Sequence, residues 1–124
     1  MSKKRQNYMR RADQLFSRLI RERDQVCVAA DAYGVACKGN LQCAHIISRS
    51  YKSIRCDFDN AVALCAAHHT YFTHRPLEWR EWVEWSFPGR WERLQGVALK
   101  YGRVDWKGKL EELRGVAENL GVSA

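Results

Sequence analysis

The chain has 124 residues and a formal net charge of +7, from 21 Lys and Arg against 14 Asp and Glu. That length allows one domain with a modest core, and no run approaches the ~18 consecutive apolar residues that would suggest a membrane span. The basic start Lys3-Lys4-Arg5 is followed by no apolar stretch, so no secretory signal is expected; five cysteines, an odd number, argue against a disulfide framework and for metal ligation in a reducing, cytoplasmic setting. The charge excess favours a polyanion as partner, nucleic acid first; a merely well-dispersed basic protein is the plainer alternative.

Residues 1–7 read as a mobile basic tail. From about Asn7 to Arg23 the positions Tyr8, Met9, Ala12, Leu15, Phe16, Leu19 and Ile20 have helical spacing along one face, giving a basic helix over 8–24. Its other face carries Arg10, Arg11, Arg18 and Arg21, a solvated surface or a phosphate-contacting one. Gly34, Gly39 and Asn40 mark turns in 26–42. Leu41–Ile47 predicts a short strand, 48–57 an exposed polar loop with Arg49, Lys52 and Arg55, and Asn60–Cys65 a second strand leading into a helix from about Ala66. Pro76 suits the first turn of the next helix, through about Phe87, which Pro88-Gly89 ends. Two more helical segments follow near 90–101 and 107–120. The aromatic residues of 79–91 are expected to pack as core against the N-terminal helix, because so many large rings are rarely left exposed.

Cys65 and His68, two residues apart at a strand-to-helix turn, have the spacing that lets two side chains grip one zinc ion. Cys27 and Cys37 are the natural remaining ligands, although the intervening 28–36 makes a longer knuckle loop than usual. Cys43 competes for one place but reads as a buried apolar residue, and Cys56 reads as a free thiol in the polar loop. The expected structural site is therefore Zn2+ on Cys27, Cys37, Cys65 and His68.

Ala44-His45-Ile46, then Asp59-Asn60, then Leu64-Cys65 with His68-His69, resembles the HNH endonucleases, and most of all their small phage-encoded members. The resemblance covers about Cys27 to His74. It implies an α+β fold, mostly helical: a zinc-stabilised β-hairpin followed by a helix, the ββα-metal core over 26–75, flanked by the N-terminal helix and a helical part over 76–124. It implies that His45 is the general base on the attacking water. Asn60 fixes the loop and orients the histidine, or touches the metal. His69 ligates a catalytic divalent ion, Mg2+ or Mn2+. The residue before the general base often ligates that ion too; here it is Ala44. His74, five residues after His69 and so about 140° away on a regular helix, is the candidate replacement, with Asp57 and Asp59 as other donors.

The leading expectation is a DNA endonuclease leaving 5′-phosphate and 3′-hydroxyl ends. Phosphate contacts from Arg10, Arg11, Arg18, Arg49, Lys52 and Arg55 position DNA without reading its sequence, so low sequence specificity is expected. A non-catalytic zinc-stabilised DNA-binding module competes, as does an accessory to phage packaging or recombination proteins, acting inside the host cell.

Overall fold

The computed structural model describes residues 1–100 and 102–123. It is an α+β chain with the elements α1 (Lys3–Asp24), β1 (Leu41–His45), β2 (Ala61–Cys65), α2 (Ala66–Thr73), α3 (Pro76–Ser86), α4 (Arg90–Ala98) and α5 (Trp106–Leu120). The strands form one antiparallel hairpin with His45 opposite Ala61, Ala44 opposite Val62 and Cys43 opposite Ala63. No described helix is long and apolar enough to cross a membrane.

The hairpin separates two cores, because successive side chains in a strand point to opposite faces. On one face Ala61 and Ala63 let α1 come close, and Phe16, Leu19 and Ile20 pack there with Trp106, Leu110 and Leu113 of α5. On the other face Ala44, Val62 and Leu64 join Phe72 of α2, Trp82 and Val83 of α3, and Leu94 of α4. The free edge of β2 is covered: Asp24 accepts from the Ala63 N–H at 2.8 Å, and the Val28 N–H donates to Ala63 O at 3.0 Å. Such cover protects a strand edge from pairing with another chain.

Four expectations change. The tail at 1–7 is helical from Lys3, because Ser2 caps the helix and Arg5 donates to Val104 O at 2.9 Å, tying the segment to the start of α5. β1 stops at His45, since Asn60 draws the backbone at Ile46 and Ile47 into the following loop. The aromatic residues do not pack on α1: Trp79, Trp82, Phe87 and Trp91 belong to the core on the far side of the hairpin, and Trp85 is 86% exposed. Helix α4 ends at Ala98 rather than near 101, and residue 101 itself lies outside the described residues.

Candidate metal centre and adjoining cleft

Helix α2 begins directly after β2, so Cys65 is both the last strand residue and the helix N-cap. Its Sγ accepts the His68 backbone N–H at 3.4 Å. The knuckle 37–40 packs against this turn, and the Asn40 and Lys38 carbonyls accept from the Ala66 and Ala67 N–H groups, which the helix itself leaves without partners. Gly39 makes the contact feasible: its φ is +86°, and a Cβ there would sit 2.6 Å from Ala66 Cβ.

This packing brings Cys27, Cys37, Cys65 and His68 together, with ligand atoms all within 4.8 Å of one another. The sulfur atoms of Cys27, Cys37 and Cys65 lie 3.7, 3.7 and 3.2 Å from His68 Nδ1. A tetrahedral ion with Zn-like bond lengths separates sulfur from nitrogen by about 3.6 Å, so the four residues fit a metal ion such as zinc. His68 Nε2 faces Ala32 O at 3.3 Å, which fixes the tautomer that leaves Nδ1 for the metal. Burial opposes ionisation of Cys65, but the N–H groups of His68 and Lys38 and the His68 ring outweigh it and hold the thiol down to about 6. Cys43 and Cys56 stay outside the cluster. Burial pushes the Cys43 thiol up to about 11. Cys56 is a free thiol, as its place in the polar loop suggested, but it is buried beside Asp13, and burial with that carboxylate raises it to about 12.

A cleft of about 610 Å³ opens where β1, α1 and α2 meet, lined by Asp13, Ser17, His45, Arg49, His69 and Thr73 among others. His45 Nε2 lies 2.8 Å from Arg55 O. A carbonyl only accepts, so Nε2 carries the proton and the neutral ring keeps its lone pair on Nδ1. Burial lowers the His45 pKa below its ordinary value; the Arg55 carbonyl and Asp13 oppose that, and Arg49 adds to it. His69 Nδ1 contacts Gln42 Oε1 at 2.7 Å, which leaves Nε2 for a ligand, and burial lowers its pKa as well.

Asn60 is fully buried and outside the cleft. Its side chain accepts from Ile47 N at 2.8 Å and donates to Ile47 O at 2.9 Å and Ile54 O at 3.1 Å. It clasps both ends of the loop whose next residue, Arg55, holds His45. These hydrogen bonds fix the loop from Ile47 to Ile54.

The basic residues separate. Arg49 lines the cleft, Lys52 is exposed on the loop, and Arg10 is exposed on α1 with its guanidinium on Asn7. Arg11 and Arg18 border a different hollow beside Arg114 of α5. Arg55 is not a free phosphate contact: its Nε and Nη2 donate to the two carboxylate oxygens of Asp13 at 2.8 and 2.6 Å, with both side chains mostly buried. His74 caps the C-terminus of α2, exposed and away from the cleft lining, because the helix runs regularly to Thr73. Asp57 caps the turn before Asn60, and Asp59 pairs with Arg93, so neither faces His69.

Sequence reasoning missed Asp13, Gln42 and Thr73. Each left a signal: Asp13 is the first acid on an arginine-rich helix, Gln42 is two residues before Ala44 and so shares its strand face, and Thr73 is four residues after His69 on the same helix face. Together they do not make a preassembled divalent site. The Asp13 carboxylate is held by Arg55, and the Thr73 hydroxyl donates to His69 O at 2.7 Å. Ala44 is 3% exposed in the core. Among the described residues the one group of three or more His, Cys, Asp or Glu able to share an ion is the Cys27–Cys37–Cys65–His68 cluster.

No family model, no curated protein and no solved structure matches this chain, so a functional reading rests on its own residues.

Proposed function

We propose that the chain is an HNH-type endonuclease that hydrolyses DNA phosphodiester bonds, with a structural zinc ion on Cys27, Cys37, Cys65 and His68. The observation that carries the reading is the Arg55 carbonyl on His45 Nε2, which leaves Nδ1 as a lone pair in a cleft shared with His69 and Arg49. An imidazole held neutral by burial and oriented by its second nitrogen is the form a general base needs near neutral pH. In the proposed step Nδ1 takes a proton from water, the hydroxide attacks phosphorus, and the bond to the 3′ oxygen breaks as that oxygen takes a proton from solvent water, leaving 5′-phosphate and 3′-hydroxyl ends; His45 then returns its proton to solvent. Arg49 offsets the charge gathering on the phosphate.

The residues do not fit a preformed site for Mg2+ or Mn2+, since the cleft carboxylate of Asp13 is held by Arg55 and, with His45 as the base, His69 is the one imidazole left to ligate. The assay reads whether cleavage depends on such an ion. Supercoiled plasmid incubated without added ion, with Mg2+ and with Mn2+ is expected to be nicked in at least one condition. His45→Ala is expected to slow nicking by about 10²-fold or more, and equal rates for parent and variant would overturn the reading.

The buried Ala44 and the incomplete ligand set favour a second reading, a zinc-stabilised DNA-binding module without catalysis. It expects duplex binding that survives His45→Ala and no nicking in any condition.

A further inference from the structure

A second cavity, of about 350 Å³, lies between the first turns of α1 and α5, with the cations Lys4, Arg5, Arg103 and Lys107 around it. Three of them are exposed; Arg5 is half-buried and anchored to Val104 O. Both helices start here, and their first-turn N–H groups carry partial positive charge. Cations at such a place are unfavourable by themselves: helix starts usually carry acids, and neither of these has one in its first turn. The acid bordering the cavity, Asp105, is spent as the α5 N-cap, its Oδ1 accepting from Gly108 N at 3.0 Å.

Trp106 supplies an independent observation. It lines this cavity, is 2% exposed, and its indole N–H is the one buried side-chain polar group without a hydrogen-bond partner among the described residues. Buried donors are nearly always satisfied, so an unmatched one calls for an acceptor. An anion with several acceptor oxygens answers the excess of positive charge, and settling into the cavity wall at Trp106 it would also engage the unmatched donor.

We propose that this cavity is a phosphate-binding site and that its ligand is a backbone phosphate of DNA. The phosphate site stands on the cavity itself; the choice of DNA rests on the proposed nuclease reading.

The test compares Lys4→Gln/Arg103→Gln with Arg80→Gln/Lys100→Gln, which removes equal charge from α3 and from the segment just after α4. Binding of a labelled duplex is followed by fluorescence anisotropy against salt, without added divalent ion, so that no cleavage enters. The first pair is expected to lower the slope of log K against log salt by about 1 and to weaken binding about fivefold near 0.15 M salt, as for one lost phosphate contact; the second pair is expected to leave the slope unchanged. In the unsubstituted chain, the Trp106 indole N–H resonance, assigned with Trp106→Phe, is expected to shift on adding the duplex or inorganic phosphate. Equal slopes for the two pairs, or an indole resonance moved by neither duplex nor inorganic phosphate, would overturn the site. A shift with inorganic phosphate but not with duplex would overturn DNA as its ligand. A chain that binds as described and never cleaves removes the nuclease reading and leaves this site standing.

Discussion

The Cys27–Cys37–Cys65–His68 cluster and the His45–His69 cleft lie side by side on α2 and are built in opposite ways. The cluster is closed: its four ligand atoms face one another, and three of its four residues are buried. The cleft is open, and its two histidines are each oriented through one ring nitrogen while the other is left without a protein partner. In the cluster the ligands are the structure. In the cleft the histidines are held by other residues: Asp13 holds Arg55, Asn60 holds the loop, and the Arg55 carbonyl holds His45. Loss of the cluster is therefore expected to cost the fold, whereas a cleft histidine is expected to be replaceable with the fold intact.

That contrast can be broken first at the cluster. Stripping a zinc ion with a strong chelator, or Cys65→Ser, is expected to unfold the chain, since structural zinc sites supply ~10 kcal/mol or more of apparent binding energy. Circular dichroism and elemental analysis check it, with one zinc per chain expected before stripping. Retention of native helicity without metal would show that the two cores suffice alone.

His45→Ala is expected to reduce nicking by about 10²–10⁴-fold, the usual worth of a general base, with zinc content and thermal stability nearly unchanged. A large fall in melting temperature would move His45 from chemistry to structure. Asn60→Ala sits between the two regions. It strands buried backbone groups at Ile47 and Ile54, each worth about 1–3 kcal/mol when left unsatisfied, so both melting temperature and nicking should drop.

The smallest effects concern protonation. The His45 pKa is lowered, chiefly by burial, so the folded chain holds that ring neutral below the ordinary value of about 6.5. The acid limb of the nicking rate should therefore fall below pH ~6.5. The same shift makes stability decline as pH falls from that value toward the folded pKa, because there the unfolded chain binds the extra proton. Asp13 raises the His45 pKa, so Asp13→Asn should move the acid limb further down. It should also slow nicking by loosening Arg55. An unmoved limb with a slower rate would make Asp13 a purely mechanical brace.

The metal cluster was legible because Cys65 and His68 are neighbours in sequence, and the turn that separates them sets their approach. Cys27 and Cys37 were legible by elimination of the other cysteines. The hairpin and the starts of α2 and α3 were legible from the alternation in 41–45, the Ala66 start and Pro76. Arg55 was misread because a charge in a polar loop looks solvated until its partner is known, and Asp13 is far away along the chain. The aromatic helix α3 was assigned to the wrong core for a related reason: periodicity says that a face is buried, not against what.

The sequence by itself determined the helices, the hairpin and the residues able to ligate a metal ion, since these follow from spacing over a few residues and from side-chain chemistry. Only the tertiary structure decided that α1 and α5 share one face of the hairpin, that Asp13 reaches Arg55, that Cys56 is buried, and that Trp106, its N–H unpartnered, borders the same cavity as four cations. Those facts depend on which distant segments pack together, and packing is set by the shapes and charges of whole faces, not by any short pattern.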